Sequence, residues 1–82
     1  SNWANIIYNA LVSLNNEADL KDIYCEVKKI VKQKYPEKMK NKNIDATVRG
    51  ILHRYSSDSA SFNGQTDLFI CIKKGRWGIR KK

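Results

Sequence analysis

The sequence predicts a single domain of the α+β class, in which three helices precede a two-stranded β-hairpin. Three observations predict this fold. Apolar residues recur at helical spacing in three separate segments, two short runs near the end are rich in β-branched and aromatic residues, and a glycine-containing turn joins these runs. With 41% hydrophobic and 10% aromatic residues, the 82-residue chain has the composition of a globular domain.

The first predicted helix runs from Trp3 to Leu14. Its apolar positions fall on one helical face: Trp3, Ile6, Ile7, Ala10, Leu11 and Leu14. Asn2 is a suitable N-cap, and Asn15 with Asn16 ends the helix. Because Trp3 shares the stripe of the leucines, we expect it in the core. Residues 17–21 are too few for a helix and are compatible with a brief strand.

The second predicted helix runs from Asp22 to Tyr35 and ends there because Pro36 disfavours a helical residue before it. One face is apolar and the opposite face is basic, the latter with Lys28, Lys29, Lys32 and Lys34. Residues 36–43 are polar and positively charged, and we expect them to form a loop that carries Lys42.

The third predicted helix runs from Asp45 to Tyr55, with Asn43 or Asp45 as its N-cap. Val48, Ile51, Leu52 and Tyr55 share the inward face. The outward face is small and polar: Ala46, Gly50, His53 and Ser57, flanked by Thr47, Arg49 and Arg54. Glycine inside a helix costs about 1 kcal/mol relative to alanine. Gly50 therefore indicates either a close approach by a ligand or a bend or tight helix crossing.

The predicted hairpin consists of a strand at residues 68–72, a turn at residues 73–75 and a strand at residues 76–80. We expect Phe69, Trp77 and Ile79 to anchor it on the core. Its tip carries Lys73, Lys74 and Arg76, three cations within four residues.

Positive charge is concentrated in the later part of the chain. Residues 1–25 hold one cation and three acids, whereas residues 26–82 hold fifteen cations and five acids. Such an excess is typical of proteins that bind polyanions, and it also occurs on basic surfaces that serve only solubility.

Cys25 and Cys71 are 46 positions apart and the chain has one histidine, so the sequence lacks the paired ligands of a zinc site. Both cysteines fall in apolar patterns, and we expect them to be buried reduced thiols in a cytoplasmic protein. No apolar run approaches the roughly 18 residues of a membrane span. We also expect no cofactor and no catalytic activity, because no carboxylate pair, phosphate loop or activated nucleophile is evident.

Three helices followed by a hairpin is the order of a winged helix-turn-helix domain. The chain resembles the HARE-HTH family and the winged-helix modules appended to bacterial restriction endonucleases and other DNA-modifying proteins. The resemblance covers nearly the whole chain and is most distinctive at Ala46-Thr47-Val48 and at Gly75-Arg76-Trp77-Gly78-Ile79-Arg80. It implies a double-stranded DNA-binding module beside a nuclease or methyltransferase domain. Ser1-Asn2 resembles a tag remnant, so residues 1–82 are expected to be one domain excised from a longer, nucleoid-associated protein.

In this interpretation the third helix enters the major groove and the basic hairpin lies along the backbone. The candidate DNA-contacting residues are Lys42, Thr47, Arg49, Gly50, His53, Arg54, Ser57, Lys73, Lys74 and Arg76. Alternatives remain for several of them: Arg49 and Arg54 are also suited to ion pairs with Asp45 or Asp58, and Ser57 is also suited to a turn. The alternative function is a protein–protein interaction module within a larger assembly.

Overall fold

The computed structural model describes residues 2–81 and confirms the α+β class. The elements in chain order are helix α1 (Trp3–Ser13), strand β1 (Glu17–Asp19), helix α2 (Leu20–Lys34), a 3-10 helix (Pro36–Lys40), helix α3 (Ile44–Arg54), strand β2 (Phe69–Lys73) and strand β3 (Arg76–Ile79). The three strands form one antiparallel sheet in the order β1-β3-β2.

The ends of α1 are fixed by asparagines, as expected. The Asn2 side chain accepts a hydrogen bond from the Asn5 backbone N–H at 2.9 Å. Asn15 and Asn16 have φ angles of 63° and 76°, the left-handed region that asparagine tolerates better than most residues. The two asparagines therefore turn the chain from α1 directly into β1.

One hydrophobic core joins the three helices and the sheet. Its buried members come from every layer: Ile6, Ile7, Ala10 and Leu11 from α1, Ile23, Val27 and Val31 from α2, Ile44, Val48 and Leu52 from α3, and Ala18, Phe69 and Trp77 from the sheet. Ile79 is partly buried against this core, so the predicted hairpin anchors are confirmed. Trp3 is only partly buried, and the Lys38 ammonium lies 5.2 Å from the centre of its ring.

The sheet contains a third strand in addition to the predicted hairpin. β1 pairs along β3 from Glu17 opposite Gly78 to Asp19 opposite Arg76. The Leu20 backbone N–H then donates to the Gly75 carbonyl at 2.8 Å, so this pairing reaches the hairpin turn. A Cβ atom at Gly78 would lie 3.0 Å from the Asn16 carbonyl oxygen. Glycine therefore allows β1 to approach β3 closely.

Two expectations are wrong. The expected loop at residues 36–43 contains the 3-10 helix, in which the Lys38 N–H donates to Tyr35 at 2.8 Å and the Asn41 N–H donates to Lys38 at 3.1 Å. Pro36 ends α2 but is also pre-organised to begin a new helical turn. Cys25 is exposed rather than buried, because it lies on α2 among the exposed lysines Lys21 and Lys28. Cys71, which was also expected to be buried, is partly buried.

Candidate nucleic-acid interface

Helix α3 buries one side and exposes the other. Asn43 is its N-cap, with a side-chain oxygen that accepts from the Ala46 N–H at 3.3 Å. The apolar stripe of α3 lies in the core, as predicted. Arg49, Gly50, His53 and Arg54 are exposed, and Ala46 is partly buried.

Gly50 faces open space. A Cβ atom built there would have no heavy atom within 4 Å outside the local helix backbone. Within the described residues, no helix crosses α3 closely enough to require glycine at this position. Ala46 and Gly50 lie one helical turn apart and leave a strip of α3 without bulky side chains, with Arg49 on one flank and Arg54 on the other.

Arg49 is held against α2 by a tyrosine. Its Nη1 donates to the Tyr24 hydroxyl at 3.0 Å, and its guanidinium carbon lies 5.9 Å from the centre of the Tyr24 ring. Asp45 pairs instead with the Lys28 ammonium at 3.0 Å. The alternative of an ion pair between Arg49 and Asp45 is therefore wrong.

Arg54 is exposed and has no ion pair with any residue in the range 2–81. Asp58, its suggested partner, pairs with Arg80 at 2.7 Å. His53 lies at the end of α3 and contacts two parts of the chain: its Nδ1 is 2.9 Å from the Ser59 hydroxyl, and its ring stands edge-on to Trp77 at 5.0 Å between centres. The imidazole therefore links α3 to the sheet and to the loop that follows.

The hydroxyl of Thr47 forms hydrogen bonds to residues 41 and 43, in the turn that precedes α3. It accepts from the Asn41 side-chain amide at 2.7 Å and lies 3.3 Å from the Asn43 carbonyl, to which it donates. Lys42, between these two asparagines, is exposed and forms no ion pair within the described part of the chain.

Ser57 is bound to Asp67. Its backbone N–H donates to Oδ1 at 3.0 Å, and its hydroxyl donates to Oδ2 at 2.5 Å. These bonds join the two ends of the segment between α3 and β2. Ser57 therefore has the role in a turn that the sequence analysis gave as the alternative to DNA contact.

The hairpin tip contains two kinds of cation. Lys73 and Lys74 are exposed, and the structure of residues 2–81 shows no ion pair for either. Arg76 donates to Asp19 at 3.0 Å and to Glu17 at 2.9 Å, and these carboxylates raise the pKa of its guanidinium. The free positive charge of the tip therefore comes from the two lysines.

Arg80 forms a network that the sequence analysis missed. It donates to Asp67 at 2.9 Å and to both Asp58 and the Phe69 carbonyl, at 2.7 Å and 3.1 Å. Asp58 also accepts from the Cys71 N–H at 2.9 Å. The Cys71 bond and Arg80 lower the pKa of Asp58, and the Ser57 hydroxyl and Arg80 lower that of Asp67. The network lies along the outer edge of β2. In the sequence, its only signal was an arginine at the end of the predicted second hairpin strand, Arg80, and two acids in the loop before β2, Asp58 and Asp67.

A second basic surface lies on α2. Lys21, Lys28 and Lys32 recur at the spacing of one helical face and are exposed, with Cys25 among them. Of these three lysines, Lys28 is paired with Asp45. The predicted basic face of α2 thus extends toward the start of the helix.

Within residues 2–81, no helix is long and apolar enough to cross a membrane. The same residues contain no group of three or more histidine, cysteine or acidic side chains placed to hold a metal ion. Comparison of the chain with protein-family models, curated proteins and solved structures found no match.

Proposed function

We propose that the chain is a double-stranded DNA-binding module of the winged helix-turn-helix type, with α3 in the major groove. The observation that carries this proposal is the bare strip of Ala46 and Gly50 between two exposed arginines. The major groove admits an α-helix, small outer side chains let the helix backbone approach the bases closely, and arginine at guanine is among the commonest specific contacts there.

The topology supports the proposal. Helix α1, strand β1, helices α2 and α3 and the β2–β3 hairpin follow one another in the order expected of a winged helix, and β1 completes the sheet beside β3. In this arrangement α2 crosses the backbone while α3 occupies the groove. The lysines of α2 would then face phosphates.

Some of the candidate residues would contact DNA directly, and others would hold the protein structure that positions those contacts. We assign backbone contacts to Lys42, Lys73 and Lys74, because they are exposed cations without ion pairs in the described structure. Thr47 and Ser57 hold turns, and Arg76 joins the hairpin to β1. Their roles would be to position the contacts rather than to make them.

The module is proposed to be non-catalytic and to bring an attached domain to DNA. Its resemblance to winged-helix modules of restriction and DNA-modifying enzymes supports a nuclease or methyltransferase as that domain. The partners would then be double-stranded DNA and the catalytic domain of the same protein, acting in the cytoplasm at the nucleoid.

Fluorescence anisotropy with a labelled mixed-sequence duplex tests the proposal at several salt concentrations. Each neutralised phosphate contributes about −0.9 to the slope of log K against log[salt], so Lys42, Lys73 and Lys74 alone predict a slope of about −2.7, and contacts from the lysines of α2 would make it steeper. Absence of binding at micromolar protein and low salt would contradict the proposal.

A charge-matched pair of variants locates the surface. Lys42→Gln should weaken binding to all duplexes and reduce the salt slope by about 1. Lys81→Gln removes the same charge beside Tyr8 and Val12 of α1 and should leave the slope near its original value. Equal effects of the two changes would mean that charge acts without a defined surface.

A second candidate function is a protein-interaction module, favoured by exposed apolar side chains outside α3. Tyr8, Val12 and Ile72 are 37%, 51% and 43% exposed. Tyr8 and Val12 line a shallow groove of about 530 Å³ with Leu68 and Ile79. Analytical ultracentrifugation measures whether the protein self-associates through this groove. If duplexes do not bind, and if Val12→Ser abolishes self-association, the protein-interaction function replaces DNA binding.

A further inference from the structure

The Tyr24–Arg49 pair fixes an exposed cation beside the bare strip of α3. Arg49 is exposed, and its Nη1 donates to the Tyr24 hydroxyl at 3.0 Å while its guanidinium faces the tyrosine ring. The nearest carboxylate on α3, Asp45, is paired with Lys28. Among residues 2–81, Arg49 therefore has no acidic partner, and its guanidinium is oriented by Tyr24.

A guanidinium in a fixed orientation differs in its chemistry from a mobile ammonium. It presents five N–H donors in a rigid plane, and the bond to Tyr24 uses one of them. The remaining donors suit the O6 and N7 acceptors of guanine, which arginine contacts in pairs in the major groove. Because the arginine is already ordered, less side-chain freedom is lost when the contact forms.

We infer that Arg49, positioned by Tyr24, reads a guanine on the major-groove edge of the bound duplex. This inference depends on the proposed DNA binding and adds a base preference to it. Its position next to Gly50, where the helix backbone can come closest to the floor of the groove, favours a base edge over a phosphate. Arg49 is the specificity-determining residue, and Tyr24 is its positioning residue.

Selection of bound duplexes from a pool randomised over about one helical turn, roughly 10 base pairs, tests the inference. One position should become enriched in guanine. The readout is then the ratio of dissociation constants for the selected duplex and for the same duplex with 7-deazaguanine there, which lacks N7. A bidentate contact predicts discrimination between about 5-fold and 150-fold against a wrong base, and 7-deazaguanine, which keeps O6, should show part of this loss.

Three variants separate reading from charge and from folding. Arg49→Met has no hydrogen-bond donor, so the preference for guanine, which is a ratio between two equally charged duplexes, should fall to nearly 1. Tyr24→Phe removes the hydroxyl that orients Arg49 and should reduce the preference several-fold without lowering the unfolding midpoint. Tyr8→Phe removes an exposed hydroxyl from α1 and is the matched control, with the preference retained.

The outcomes separate this inference from the function on which it depends. If duplexes bind with a steep salt dependence but guanine is not enriched, or if Arg49→Met retains the preference, the reading by Arg49 is wrong and DNA binding stands. If no duplex binds at low salt, both proposals are wrong. Loss of preference in Arg49→Met and Tyr24→Phe, but not in Tyr8→Phe, supports the inference.

Discussion

Gly50 allows the stability of α3 to be measured separately from its fit to a ligand. The residue is helical and a Cβ there meets only open space, so Gly50→Ala removes backbone freedom from the unfolded chain without a clash. We expect the free energy of unfolding to rise by about 0.5–1 kcal/mol, measured by chemical denaturation. If DNA approaches this strip closely, the same variant should bind duplexes more weakly.

Gly64→Ala is the matched control for this change. Gly64 also faces open space, but its φ of 85° lies in the left-handed region, where alanine is strained. This variant should lower the stability by about 1 kcal/mol. A Gly50→Ala protein that is more stable and binds as tightly as the original would show that no ligand uses the close approach.

The loop between α3 and β2 is held to the sheet by charged groups, and this makes its stability depend on pH. In the folded protein, hydrogen bonds from Cys71 and Ser57 and the charge of Arg80 hold the pKa values of Asp58 and Asp67 below the ordinary aspartate value of about 3.9. Stability from a lowered pKa is present above the unfolded value and is lost as pH falls through the folded one. We therefore expect a plateau above about pH 5 and a decline below about pH 4.

Asp67→Asn tests this expectation by urea denaturation at a series of pH values. The variant should be less stable at neutral pH and show a shallower decline in acid. Glu37→Gln, an exposed acid of the 3-10 helix without an ion pair among residues 2–81, should follow the original curve in shape. Parallel acid curves for the original protein and Asp67→Asn would contradict the assignment.

Local patterns predicted the helices and the hairpin because periodicity and capping are properties of neighbouring residues. The apolar stripe of α3, the Asn2 cap and the burial of Trp77 follow from such patterns. The pairing of β1 with β3 does not, since it joins Ala18 to a residue 59 positions later. Local periodicity cannot detect contacts between such distant positions.

The distinction between local patterns and long-range contacts also explains which parts of the candidate site the sequence predicted. Exposure of Arg49 and Gly50 followed from the helical pattern, but the Tyr24 contact, the pairing of Arg76 and the Arg80 network depend on how separate elements pack. Cys25 shows the opposite error. Cysteine is an apolar residue type, which predicts burial, but position 25 of α2 lies among lysines and is exposed.

The positive charge of the chain is divided between pairs that hold the fold together and cations that remain free. Arg76 is paired with the acids of β1, and Arg80 with those of the loop. In the described part of the chain, Arg49 has no ion pair but is hydrogen-bonded to Tyr24. Apart from Arg49, eleven Lys and Arg side chains between residues 2 and 81 form no ion pair: Lys21, Lys29, Lys32, Lys34, Lys38, Lys40, Lys42, Arg54, Lys73, Lys74 and Lys81. Ion pairing therefore removes few of the cations available to a polyanion, and association with DNA should slow steeply as salt rises.

Cys25 reports whether α2 lies on the DNA backbone. Its exposed thiol stands in the lysine stripe, between Lys21 and Lys28, so a duplex laid across α2 would cover it. We expect a saturating duplex to slow alkylation of Cys25 by iodoacetamide several-fold, measured by mass spectrometry, and high salt to restore the rate because it releases the duplex. Because the Cys71 thiol lies 3.5 Å from the carbonyl of Lys73 on the proposed DNA-contacting hairpin, glutathione in the same solution is the control, and it should react at a rate that DNA leaves unchanged. A bound duplex that does not protect Cys25 would contradict the placement of this face of α2 against the backbone.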